Sequence, residues 1–410
     1  MSYKTHYKAF HSEIEPEFSP SLSFELPNST HAVRKELLTY TTIGGSYLTP
    51  SSSKSTELEI PRIAGGWLDG SSSYLRFKLD VVGTDATYST NGGAWQENVE
   101  ITGYDGQRID DIRYAQPLYS AIQDYTIKEE DLSGTLQVTN GTGTDDERRL
   151  MGANGKWICM PINSTFFRTS GNLVPIAFLG PLKIKIDLAN ASKYLKTSDG
   201  SPATYAIRDL SIVCEVLYFS PEVEAAAELA WRENRMYMSA PTWGSFPVAS
   251  VSLRDHFTVP HGITSLKGVI MIIQDEFIQD NFAFDSLATR EFGIKELQMQ
   301  IGDRVFHRIY GDNDAELMKT IQRGFHHAAN GGIVTKKNFT ADHGKFMYYQ
   351  NTSLDESAEA FIAGDKQRAP ININVEFTGP LASGRPRQIV IYYLYDRFIS
   401  VSPAGIKEWK

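Results

Sequence analysis

The chain has 410 residues, of which 41 % are hydrophobic, 11 % aromatic and 22 % charged. That balance supplies side chains for packed cores and excludes disordered, collagen-like and coiled-coil chains. Forty Lys and Arg against 49 Asp and Glu leave a net charge of −9, which argues against a body built to grip phosphate backbones. At roughly 150 residues per domain, two or three domains or two large β domains are expected.

Residues 1–30 read as an N-terminal arm. Lys4 and Lys8 precede Glu13, Glu15 and Glu17, and Pro16, Pro20 and Pro27 prevent a continuous helix. Phe10, Phe18 and Phe24 give the arm apolar points with which to lie against another surface. Met1 to Pro20 holds no apolar stretch of the kind a signal peptide needs. The longest apolar runs, such as Val269 to Ile273, are far below the ~20 residues of a membrane span, so a soluble chain is expected.

From about Leu37 the text becomes β-like, with short apolar or alternating runs broken by Gly, Ser, Asn, Asp and Pro. Tyr74 to Val82, Leu182 to Leu188 and Leu210 to Phe219 read as strands, and Thr139 to Asp146 reads as a solvated, mobile loop. Pro221 to Trp231 reads as a helix, with Ser220 as N-cap, Pro221 at the first position and acidic residues in the first turn. Asp314 to Gln322, ending near Gly324, reads as another. The two cysteines, Cys159 and Cys214, lie too far apart for a CxxC site and are expected to be reduced and buried, as in a chain folding in the cytosol.

The most informative feature is an internal repeat. Gly106 to Ile112 has a counterpart in Gly302 to Ile309, with Arg108 and Arg304 offset by 196 residues. Ile122-Gln123 and Ile321-Gln322 sit in helical candidates offset by 199 residues. Ile184 to Leu188 matches Ile373 to Phe377, and Ile212 to Tyr218 matches Ile389 to Tyr395, at offsets of 189 and 177. The order is shared while the offsets drift with loop length; the alternative is two unrelated β domains. A unit of this length fits the eight-stranded antiparallel sandwich called the jelly roll, with glycine at 106 and 302 supplying a turn of positive φ. The expected fold is all-β, two tandem eight-stranded jelly-roll sandwiches with a few short inserted helices. Its divisions are the arm 1–30, a first jelly roll 31–219, a linking helix and connector 220–246, a second jelly roll 247–402 and a C-terminal tail 403–410.

Several stretches carry a resemblance. Ile60 to Leu75, with Leu68-Asp69 before a run of small polar residues, Gly106 to Ile112, Val213 to Glu222, and Ile389 to Val401 with its Tyr395-Asp396 are similar to segments of the double jelly-roll major capsid proteins. That group is shared by tectiviruses, adenovirus, polinton-like viruses, virophages and nucleocytoplasmic large DNA viruses. The resemblance covers about residues 35–402 in loose patterns. It implies a virion protein whose homotrimers form pseudo-hexameric capsomers of an icosahedral shell. It also implies contacts with neighbouring capsomers and minor capsid or penton proteins, and an arm able to reach an inner membrane.

No catalytic or cofactor motif is present: GxxxxGK[ST], GxGxxG, HExxH and GxSxG are all absent. His326-His327, Asp255-His256 and Asp342-His343 are expected to be surface or chance adjacencies. Asp275-Glu276 and Asp110-Asp111 could offer oxygen ligands to a divalent cation but more often are loop charge. Met347-Tyr348-Tyr349 could stack on a sugar or base, although strand cores use the same residues. The Asn-X-Ser/Thr triplets at Asn28, Asn140, Asn163, Asn190, Asn338 and Asn351 are expected to be plain loop text. No enzyme, metal, cofactor, small-molecule substrate or specific nucleic acid is expected; the alternative is a secreted two-jelly-roll enzyme or lectin acting on glycans.

Overall fold

The computed structural model describes residues 33–164, 167, 173–259, 265–276, 280–325, 333–339, 344–352, 370–379 and 386–409. The arm 1–30 therefore lies outside the described residues. Eight principal strands build a first sandwich: β1 (Arg34–Ile43), β2 (Ser55–Ile60), β3 (Gly66–Val82), β4 (Gln96–Thr102), β5 (Arg108–Ile112), β6 (Trp157–Met160), β7 (Leu182–Leu188) and β8 (Thr204–Tyr218). They pair in the orders β1-β8-β3-β6 and β2-β7-β4-β5. β1 follows β8 from Arg34 to Thr41 and then crosses to β2 through Thr42 and Ile43, tying one sheet to the other.

A second sandwich repeats the plan with β9 (Met236–Ser250), β10 (Arg254–Val259), β11 (Leu266–Asp275), β12 (Ile294–Ile301), β13 (Arg304–Val305), β14 (Tyr348–Asn351), β15 (Ile371–Phe377) and β16 (Arg387–Ser402). Its sheets run β9-β16-β11-β14 and β10-β15-β12-β13, the same order strand for strand. This is the jelly roll twice over. The main helices are α1 (Ala115–Thr126), α2 (Asp145–Ala153), α3 (Pro221–Arg232) and α4 (Asp314–Gly324). α1 and α4 occupy equivalent places after the fifth strand of each sandwich, and α3 links the two.

Local sequence explains the elements. In β3, Leu75, Phe77 and Leu79 are at most 1 % exposed while Arg76, Lys78 and Asp80 alternate with them towards solvent. Ahead of that run, both Asp69 carboxylate oxygens accept from Ser71 and Ser72, at 2.7 to 3.3 Å, and Ser73 Oγ donates to the Asp69 carbonyl. Burial acts to raise the Asp69 carboxyl, but these donors outweigh it and hold it below the usual range. The hairpin turns before β5 and β13 carry Gly106 and Gly302 at φ 76° and 54°, a region that favours glycine.

Three expectations change. Strand β9 begins at Met236 and pairs with β16 along its whole length, so sandwich structure starts within the expected connector 220–246. Strand β17 (Gly405–Trp409) folds back on Phe398 to Ser402, so the expected tail 403–410 extends the second sandwich. The loop expected at 139–146 is solvated only in its second half: Thr144 to Asp146 are exposed, whereas Thr142 is fully buried and donates to the Leu132 carbonyl at 2.7 Å. Thr144 opens α2 with a capping box to Glu147, which explains how so polar a stretch becomes ordered.

β16 is a central strand, flanked by β9 and β11, and Ile389 to Tyr393 are all buried. Ile391→Ala removes a fully buried side chain from its middle and should cost about 2–5 kcal/mol of unfolding free energy. Chemical denaturation read by tryptophan fluorescence measures it; a midpoint equal to the parent's would contradict the placement.

Candidate functional site

Both faces of the sheet β9-β16-β11-β14 are covered at its centre, along β11 and the first half of β16. Towards its own sandwich it presents Arg387, Ile389 and Ile391, with the Arg387 guanidinium 3.9 Å from the centre of the Phe377 ring. The opposite face carries Ile270, Ile272, Val390 and Tyr392, none more than 1 % exposed. Register places Ile270 beside Tyr392 and Ile272 beside Val390, so the four form one patch. The first sandwich covers that patch with α1.

Named contacts define this seam. The Tyr392 hydroxyl donates to the Tyr114 carbonyl at 2.8 Å, and burial pushes its phenol well above the usual range, which keeps the donor protonated. Tyr125 on α1 donates to the Lys345 carbonyl at 2.6 Å and stacks on Phe325, which lies 5.0 Å from the Tyr349 ring. Arg397 donates to the Ile109 carbonyl at 2.6 Å, and Tyr104 to the Ser402 carbonyl at 3.0 Å. The Ile406 amide donates to Asp105 at 2.7 Å, and Ser89 donates to Asp285 at 2.7 Å.

Two carboxylates are enclosed here. Asp110 is 1 % exposed and accepts from Ser164 of its own sandwich and from Thr242 of the other. Asp124 forms an ion pair with Lys345 across the seam; burial pushes its carboxyl up, and the nearby ammonium opposes that shift. A cavity between the sandwiches is lined mainly by polar groups, among them Glu97, Gln116, Lys193, Gln274 and Gln388. Lys193 reaches Glu97 at 2.7 Å along it. This arrangement fixes the orientation of two bodies.

The residues singled out from sequence fall elsewhere or into structural roles. Asp110 and Asp111 point apart, the second pairing with Arg108 at 3.2 Å and Arg113 at 3.8 Å. Asp255 accepts from Ser250, whereas His256 on the other face of β10 meets Asn374 at 2.6 Å and Thr258 at 3.2 Å. Asp275 ends β11 opposite Arg387. Met347, Tyr348 and Tyr349 are core residues, so their rings pack within the protein. His326-His327, Asp342-His343 and Asn28 lie outside the described residues. Asn163 lies in a loop, is buried, and its backbone amide donates to the Gln96 side-chain carbonyl at 3.1 Å. Cys214 is buried, which pushes its thiol up to about 12, while Cys159 is only half-buried. Among the described residues no three His, Cys, Asp or Glu gather as a metal site, and no helix is long and apolar enough to cross a membrane.

Sequence reasoning missed the seam itself. Its signal was present in Val269 to Ile273 and Ile389 to Tyr393, runs that are apolar throughout instead of alternating and therefore need cover on both faces.

Two measurements follow from this geometry. Thr242→Val removes one donor from the enclosed Asp110 carboxylate and should lower unfolding free energy by about 1–3 kcal/mol. An unchanged denaturation midpoint would show that the bond contributes nothing. Beside α4, burial and the neighbouring Asp314 raise the Glu291 carboxyl to about 6. A folded-state value above the unfolded one gives stability that is complete below pH about 4.5 and is lost as pH rises through about 6. Glu291→Gln should thus raise the melting temperature at pH 8 and leave it unchanged at pH 4. Because the group is about half exposed, the gain at pH 8 should stay near 1 kcal/mol or less; equal shifts at both pH values would contradict the assignment.

No family model and no curated protein matches the sequence. Solved structures do match in fold, along nearly the whole length of both chains. A chain of the PBCV-1 virus capsid superposes with a TM-score of 0.65 at 11 % identity, over 94 % of this chain and 99 % of that one. The Faustovirus major capsid protein gives 0.61 at 9 % identity, over 92 % and 93 %. The mavirus major capsid protein gives 0.54 at 12 %, over 94 % and 91 %. The fold is the double jelly roll of these proteins.

Proposed function

We propose that the chain is a major capsid protein, located in the virion, whose homotrimers form pseudo-hexameric capsomers tiling an icosahedral shell. The observation that carries this reading is the seam. It holds two sandwiches of identical strand order side by side through apolar packing, enclosed carboxylates and direct hydrogen bonds. Three such pairs closed by a repeated heterologous contact make a ring of six similar bodies. The fold likeness to capsid chains over more than nine-tenths of this chain supports the same reading.

Neighbouring capsomers, minor capsid or penton proteins and an inner membrane are the partners assigned to such a capsomer. The arm 1–30 is given the role of reaching them, on sequence grounds alone. The net charge of −9 fits a body that keeps free capsomers apart in solution.

Size-exclusion chromatography with light scattering tests the trimer. A particle of three chains, stable at micromolar concentration, is expected, since permanent interfaces of this class bury about 2,000 Å² or more. A monomer under the same conditions would contradict the reading. Deleting residues 1–20 should leave the trimer's melting temperature within about 2 °C of the full chain while shells fail to form or become irregular. Destabilised trimers that still build regular shells would contradict the role given to the arm.

A further inference from the structure

The seam brings a lysine and an aspartate from opposite sandwiches into direct contact. Asp124 stands near the end of α1, and Lys345 precedes β14 in the second sandwich. Their side chains are 27 % exposed for Lys345 and 12 % for Asp124, and the Lys345 Nζ meets the Asp124 Oδ1. Both backbones are pinned. The Lys345 amide donates to the Asn338 carbonyl at 2.8 Å, and the Lys345 carbonyl accepts from the Tyr125 hydroxyl at 2.6 Å. The Asp124 carbonyl accepts from the Ile333 amide at 3.0 Å. Two further charged groups, Asp285 and Arg148, act on the Asp124 carboxylate. Asp285 is held by donors from both sandwiches, Ser89 Oγ at 2.7 Å and the Leu287 amide at 3.0 Å. Arg148 is 8 % exposed and donates to the Thr90 carbonyl at 3.2 Å.

We infer that Lys345 and Asp124 condense after folding into an isopeptide bond that joins the two sandwiches covalently. The bond lies within one chain and does not depend on the proposed trimer. An ammonium and a carboxylate together hold every atom the reaction needs. One proton passes from the Lys345 ammonium to the Asp124 carboxylate, giving an amine and an acid. Nζ, about 3–3.5 Å from Cγ in such a contact, then attacks it and forms the C–N bond. A second Nζ proton passes by way of Asp285 to the departing hydroxyl, the C–O bond breaks, and water leaves. No oxidant or further reactant is consumed. Arg148 offers positive charge to the oxyanion that forms on the way. Burial, with Asp285 adding to it, holds the Asp124 carboxyl above the usual range against Lys345 and Arg148, which favours the neutral acid. Free amines and acids do not condense in water, but oriented neighbours reach effective concentrations of about 10⁵–10⁸ M. Enclosure in the seam then keeps water from reversing the step.

Mass spectrometry of the full chain, purified folded and then denatured, tests the bond. The parent should be lighter than its sequence mass by one water. Its tryptic digest should contain a branched peptide in which Asp124 is joined to Lys345. Because the bond spans 221 positions, the denatured parent should also run faster on a denaturing gel than Lys345→Arg. That variant keeps the charge pair, lacks the amine that condenses, and should show its full mass. Asp285→Asn should slow bond formation on the order of tenfold or more, read as the fraction of lighter chain against time after refolding. A parent that keeps its full mass after prolonged incubation at neutral pH would overturn the inference and leave Lys345 and Asp124 as an ion pair. A loss of water that persists in Lys345→Arg would overturn it as well, because the bond would then lie elsewhere. Bond formation at the parent's rate in Asp285→Asn would overturn the part given to Asp285.

Discussion

A sheet that is apolar on both faces cannot end a protein. An antiparallel sheet ordinarily packs one face and leaves the other to water. The sheet β9-β16-β11-β14 instead sets Ile389 and Ile391 inward and Ile270, Ile272, Val390 and Tyr392 outward, all of them buried. Burying a large apolar side chain is worth about 1.5–3 kcal/mol, so the outer four amount to roughly 6–12 kcal/mol as an upper bound. That is comparable with the whole stability of an ordinary domain, about 5–15 kcal/mol. The second sandwich therefore depends on cover supplied by the first, and the seam is the interaction from which the shape of the molecule follows.

Apolar cover alone would allow the sandwiches to slide. Register is given by directional groups at the margin of the patch: Asp110 between Ser164 and Thr242, Tyr392 on the Tyr114 carbonyl, Arg397 on the Ile109 carbonyl. Each has one geometry in which its partner is satisfied, and a slipped interface would leave an enclosed carboxylate or carbonyl without its donor. Tyr125, stacked on Phe325 while its hydroxyl meets the Lys345 carbonyl, performs the same task at the far end of α1. Two kinds of force divide the work, one supplying affinity and the other position.

Much of this plan was legible in the residues. The pairs Arg108 and Arg304, Ile122 and Ile321, Ile184 and Ile373, and Ile212 and Ile389 fall at equivalent places in the two sandwiches, because strand alternation and turn glycines are local properties. Boundaries were less legible. The connector was expected to run to residue 246, yet β9 begins at Met236 and carries Pro241 and Pro247, which are tolerated because β9 is an edge strand with β16 on one side only. The ordered stretch around Thr142 was hidden by a composition of Thr, Asn and Gly, although Thr144 and Glu147 spelled a capping box. The seam was the least legible part. Asp110 looks like loop charge until Thr242, 132 positions away, is brought to it by the fold.

The central claim is that α1 and the sheet it covers form one cooperative unit, and native-state hydrogen exchange addresses it directly. Amides in the second half of α1 and in β11 and β16 should exchange only through global unfolding, with a common free energy. Fast, local exchange of α1 while β11 and β16 remain protected would mean that the second sandwich holds its outer face without the first, and would contradict the dependence of one sandwich on the other.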